Sequence, residues 1–190
     1  MTLAAGCGGD KGATEPLPDD ITPSTSRPTS STTTALITTT TEPVPFDVEV
    51  RRAAVELLQV RNEVFQSTDP ERVDDYLTPL CTCYSNETEV LENQAEAGHR
   101  WSGPALEPLG VRLLDDDQVI PRLVVIVRQH PIEVVDSQGN VLSTFPALER
   151  AALFIGLQLN ASGNWRIGLF QNNPDFDPSL AEEIVAEGLQ

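Results

Sequence analysis

The apolar residues of this chain change rhythm near Trp101. Before it, Val50, Ala53, Ala54, Leu57, Val60 and Val64 recur at the spacing of one helical face, while Glu49, Arg52, Glu56 and Glu63 fall largely elsewhere. This pattern predicts a helix over about 47–66, with Asp47 as its N-cap. Thr68 or Asp69 is placed to cap a second, short helix ending near Leu77, with Pro70 and Glu71 in its first turn. A third helix is predicted from Asn86 or Glu87 to Ala97, where Asn86 and Glu89 have the spacing of a capping box and Gly98 supplies the stop.

After Trp101 the period becomes two. Leu106 to Leu114 reads as a strand interrupted by Gly110, and the acidic run Asp115-Asp116-Asp117 as a turn. Arg122 to Val135 is strand-rich, with Pro131 marking a bulge or an edge. Asp136 to Asn140 reads as a hairpin loop, followed by a strand from Ala147 to Asn160 with Leu153, Ile155, Leu157 and Leu159 on one face. A turn at Asn160 to Asn164 then leads to Trp165, Ile167 and Leu169, expected to face one way. Helices followed by an antiparallel meander make an α+β domain over 46–172, two to three helices packed on a curved sheet. The tail 173–190 holds a candidate short helix after Asp177-Pro178, expected to dock loosely or fray.

Composition separates this body from what precedes it. Residues 8–45 are dominated by Thr, Ser, Pro and Gly and contain no aromatic residue, so they cannot bury enough apolar surface to offset ordering. They are expected to be a disordered linker, roughly 35 Å long as a flexible coil. The whole chain carries 29 acidic against 12 basic residues, a formal net charge of −17. From Phe46 onward the balance is 10 Arg against 24 Asp plus Glu, or −14. Such acidity argues against a nucleic-acid partner, because phosphate binding needs clustered Lys and Arg. It also argues against direct adsorption on an anionic bilayer.

Leu3-Ala4-Ala5-Gly6-Cys7 resembles the lipobox that closes a bacterial lipoprotein signal. Ala4 stands where that family prefers Leu. A working signal carries a charged and an apolar region upstream, which the six residues before Cys7 are too few to supply. The resemblance implies lipidation of Cys7 by a diacyl group and an amide-linked chain, and a location at the extracytoplasmic face of the cell membrane. Residues 1–7 are then the remnant of the signal. The order of elements over about 48–172, with the closing Gly163-Asn164-Trp165-Arg166-Ile167 hairpin, resembles the nuclear-transport-factor-2-like fold of ketosteroid isomerase and the SnoaL-type cyclases. There, helices close the concave side of a curved sheet. Actinobacterial envelope lipoproteins often join a lipobox, a Thr/Pro tether and such a domain, sometimes with a close cysteine pair like Cys81-Thr82-Cys83.

Cys81 and Cys83 are expected to form a disulfide on the exported side of a membrane. A zinc site would need two further ligands, with only His99 and His130 in the chain. Neither a metal nor a cofactor is expected, and no phosphate-binding glycine loop or nucleophile elbow occurs. Tyr76, Tyr84, Trp101 and Glu149 are candidates to line a pocket, with no motif that makes any of them catalytic. The leading expectation is a lipid-anchored envelope protein whose domain binds a small apolar ligand or an envelope protein partner without catalysis. The alternative is an isomerase- or cyclase-like pocket enzyme, and a thiol-redox accessory role is a third reading. A buried carboxylate facing a tyrosine inside the cone would favour the enzyme.

Overall fold

The computed structural model describes residues 43–189 except Asp116; Cys7 and most of the linker lie outside the described residues. Helix α1 (Phe46–Ser67) follows the predicted stripe, burying Val50, Ala53, Ala54, Leu57, Leu58, Val64 and Phe65. Its N-cap is Pro45, and Asp47 sits in the first turn, where a carboxylate suits the positive helix end without capping it. A 3-10 helix (Pro70–Asp75) follows, capped by Asp69, whose Oδ1 accepts the Glu71 N–H at 3.1 Å. Helix α2 (Tyr84–Ala97) starts two residues earlier than the expected Asn86 cap, because the turn at Cys81–Cys83 already delivers the chain in helical geometry. Gly98, at φ 68°, ends it as expected.

Strands β2 (Leu106–Asp115), β3 (Arg122–Gln129), β6 (Leu148–Leu159) and β7 (Trp165–Asn173) form an antiparallel sheet in the order β2-β3-β6-β7. The meander is interrupted at His130-Pro131. There the chain leaves this sheet to build a second one from β1 (Arg100–Trp101), β4 (Ile132–Val135) and β5 (Val141–Phe145), ordered β1-β4-β5. Asp136 closes the β4–β5 hairpin by accepting the N–H groups of Gln138 and Asn140 at 2.8 and 2.9 Å.

The four-stranded sheet is covered on both faces. Leu123, Val125 and Val127 of β3 face α1, whereas Val124 and Ile126 face helix α3 (Pro178–Glu187); all five are fully buried. The tail therefore docks firmly rather than fraying: Ala181 and Ile184 are buried, and the Val111 N–H donates to the Gly188 carbonyl at 3.1 Å. Gly110 makes this contact possible, since a Cβ there would stand 2.8 Å from the Ile184 carbonyl carbon. Arg112 pairs with Glu183 and Glu187 across the same contact.

One expected face is split by a bulge. Gly156 pairs with Leu169 and Leu157 with Ile167, so Gly168 is an extra residue on β7. Ile167 stays in the core beneath α1, while Leu169 meets Gly156 on the other face and Phe170 turns inward instead. Leu159, also expected on the inner face, is half exposed at the end of β6. The outer edge of β7 is closed by residues 76–78, through Ile167 N–H to Tyr76 carbonyl at 2.8 Å and Thr78 N–H to Ile167 carbonyl at 3.0 Å.

Candidate functional site

Between α1, the inner face of the large sheet and the start of the small one lies a cavity of about 200 Å³. Its walls are mostly apolar: Leu106, Val127, Ile132, Leu153 and Phe170 among them, with Trp101 from β1. The polar groups that reach it are Arg61, Gln129 and Asn172.

Arg61 organises the wall. It lies one turn after Leu57 and one turn before Phe65, on the apolar stripe of α1. Its guanidinium sits 4.6 Å from the Phe65 ring centre, 5.3 Å from Phe170 and 5.8 Å from Trp101, within cation–π range of all three. Phe65 and Trp101 stack at 4.1 Å. The charge is met by Glu87 on the first turn of α2. Arg61 Nε donates to Glu87 Oε1 at 2.9 Å, and Nη2 lies 2.8 Å from the same oxygen. Tyr76 completes the network by donating its hydroxyl to Glu87 Oε2 at 2.6 Å. Burial, and then the adjacent Glu87 carboxylate, hold the Tyr76 hydroxyl far above its ordinary pKa.

A buried carboxylate facing a tyrosine is thus present, but it is sealed away. Tyr76 is fully buried, Glu87 is 7% exposed, and neither lines the cavity. Arg61 stands between them and any occupant, holding the carboxylate in an ion pair. The arrangement fixes Arg61; it does not present a base.

Of the residues expected at a pocket, Trp101 lines it and Tyr76 stands behind it. The other two are elsewhere. Tyr84 donates to Asp74 Oδ1 at 2.8 Å on the surface, a bond that raises its pKa. Glu149 has a 90% exposed side chain 3.7 Å from Arg128, because β6 begins at the rim of the sheet. Cys81 and Cys83 are joined in a disulfide, Sγ to Sγ 1.96 Å, in the turn that leads into α2. His130 Nε2 lies 2.9 Å from Glu107, and the His99 carbonyl accepts from Thr68. Among the described residues no cluster could hold a metal ion. Arg61 and Glu87 were not singled out from sequence, although a cation placed on an apolar helical stripe is a readable signal.

A second, wider cleft of about 340 Å³ lies on the opposite face of the sheet, beside α3. Its one charged side chain, Arg150, is half exposed and engaged 3.2 Å from Glu182. The inner cavity is the better candidate site because Arg61 and Gln129 are partly withdrawn from water and converge, with the exposed Asn172, on one space.

Fold and site together define an α+β protein, its helices packed against antiparallel sheets, with a small apolar cavity edged by a neutralised arginine. No family model and no curated protein matches the chain. Among solved structures it is similar to a candidate aromatic ring hydroxylase from Novosphingobium aromaticivorans, at 12% identity over 71% of this chain and 94% of that one, TM-score 0.48. It is also similar to a protein of cystatin-like fold from Caulobacter vibrioides, at 16% identity over 71% and 95%, TM-score 0.42.

Proposed function

We propose that the chain is a lipoprotein of the bacterial cell envelope, held at the extracytoplasmic membrane face through Cys7, whose nuclear-transport-factor-2-like body binds a small neutral ligand without transforming it. The lipobox residues and the Thr/Pro stretch support the anchor. The observation that carries the binding reading is the inner cavity. An apolar space of about 150 Å³ is enough for benzene, so about 200 Å³ accommodates a single ring with one polar substituent. Arg61 Nη1, which takes no part in the Glu87 pair, the Asn172 amide and the Gln129 Oε1 face that substituent, the Gln129 Nε2 being engaged with the Pro146 carbonyl at 2.9 Å. A neutral ligand is favoured over an anion, since Glu87 already balances Arg61 and the body carries −14 overall.

Phenol is a suitable probe. With Trp165 replaced by Phe, Trp101 is the remaining tryptophan, and phenol should change its emission saturably. Ala151→Phe, which narrows the cavity, should abolish the change. No saturable response from Trp101 would overturn the binding reading. The enzyme reading draws on the 2.6 Å Tyr76–Glu87 contact and requires Arg61 to swing aside. Chemical conversion of a molecule that co-purifies with the protein would favour it. For the anchor, the exported precursor should incorporate labelled palmitate, and Cys7→Ala should not; equal labelling of both would refute lipidation at Cys7.

A further inference from the structure

Leu148, Ala151 and Asn172 line both the inner cavity and the outer cleft. The pairing of strands explains how a residue can do so. The ladder between β6 and β7 begins at Ala152 opposite Asn173. Residues 148–151 of β6 are therefore paired to β3 alone, and the two faces of the sheet meet around this short unpartnered edge. A bulge in the β3–β6 ladder between Val127 and Gln129 adds to it, turning the start of β6 relative to the rest of the strand. Beyond the edge, the outer cleft is walled by Ile126 and Ala152 of the sheet and by Phe176, Pro178 and Ala181 around α3. It holds about 340 Å³ against about 200 Å³ inside.

We propose that the natural ligand is an elongated neutral amphiphile. Its ring-sized polar head occupies the inner cavity beside Arg61, and its alkyl chain crosses the β6 edge at Ala151 to lie in the outer cleft. This inference rests on the inner cavity being the binding site and adds the chemical class of the occupant. The inner cavity is too small for a ring and a chain together, and its apolar continuation is the cleft with which it shares a wall. Arg150 at the cleft is already paired with Glu182, so no charge there calls for an anionic end group, and the acidity of the body opposes one.

The test is calorimetric titration of the intact protein with para-alkylphenols of increasing chain length, from phenol to para-hexylphenol. Each methylene that enters the cleft should tighten binding about fourfold. Arg150→Phe, which fills the outer cleft and touches no inner wall, should leave phenol binding unchanged and remove the chain-length gain. Pro174→Phe at the same cleft is a second variant with the same expectation. If phenol binds but longer chains bind no better, or gain equally in both variants, the amphiphile inference is overturned and the inner site stands. If phenol itself does not bind, both readings fall.

Discussion

Replacing Glu87 by Leu strikes the network that holds the cavity wall. Glu87 is the acceptor for both Arg61 and Tyr76. The Arg61 and Glu87 side chains are only 12% and 9% exposed, so a partner left behind is not rehydrated. Removing one member of a buried ion pair costs about 3–5 kcal/mol. The orphaned Tyr76 hydroxyl adds about 1–3 kcal/mol. Together these approach the whole stability of an ordinary domain, roughly 5–15 kcal/mol. Urea unfolding followed by far-ultraviolet circular dichroism should show a sharply lower midpoint at an unchanged m value. Adding Arg61→Met removes the stranded charge and should recover most of the loss, because a buried pair exchanged for apolar groups of similar volume is often neutral. Adding Tyr76→Phe as well should bring the triple variant within about 1–2 kcal/mol of the parent. A loss below about 1 kcal/mol for Glu87→Leu, the size of a solvent-screened pair, would refute the reasoning. So would a double variant no more stable than the single one.

Alkaline pH tests the same network from the other side. Because folding raises the Tyr76 pKa, its contribution is intact below the unfolded value of about 10 and is lost as pH rises past it, by up to about 1.4 kcal/mol per pH unit. Tyr76→Phe should flatten the stability curve in that range; an unchanged slope would contradict the assignment. Gly110→Ala would push a Cβ to within 2.9 Å of the Val185 Cα and should cost about 1–3 kcal/mol. Faster amide exchange confined to α3 and β2 would report it, and unaltered exchange would mean the helix is not held there. Alkylation of the exported protein should find no free thiol at Cys81 or Cys83. Replacing both by Ser should lose about 1–2 kcal/mol, the stabilisation expected of so short a loop, and modification of either thiol in the untreated protein would contradict the bridge.

Periodicity along the chain is enough for the three helices after Pro45, the strands near 106–114 and 147–160, the stop at Gly98 and the hairpin at Asp136 to Asn140, because these depend on neighbours within a few residues; it does not show the break between β3 and β4 or the strands β1 and β5 of the second sheet. Docking of the tail was also legible in principle: Leu-Val-Val-Ile-Val in β3 is apolar on both faces, and such a strand needs a cover on each side. Other features depended on partners far apart in sequence. Alternation alone puts Leu169 on the face of Ile167, whereas the extra residue at Gly168, defined only by its pairing with β6, turns it to the other. Tyr84 and Glu149 lie away from the pocket because the start of α2 and the rim of the sheet carry them outward. Local rhythm reflects which side of an element meets water, and composition marked the body off from the Thr- and Pro-rich stretch before it. That Arg61 of α1 meets Glu87 of α2, with Tyr76 behind, was decided by tertiary structure alone, because a buried charge is tolerated only where the fold delivers its counter-charge.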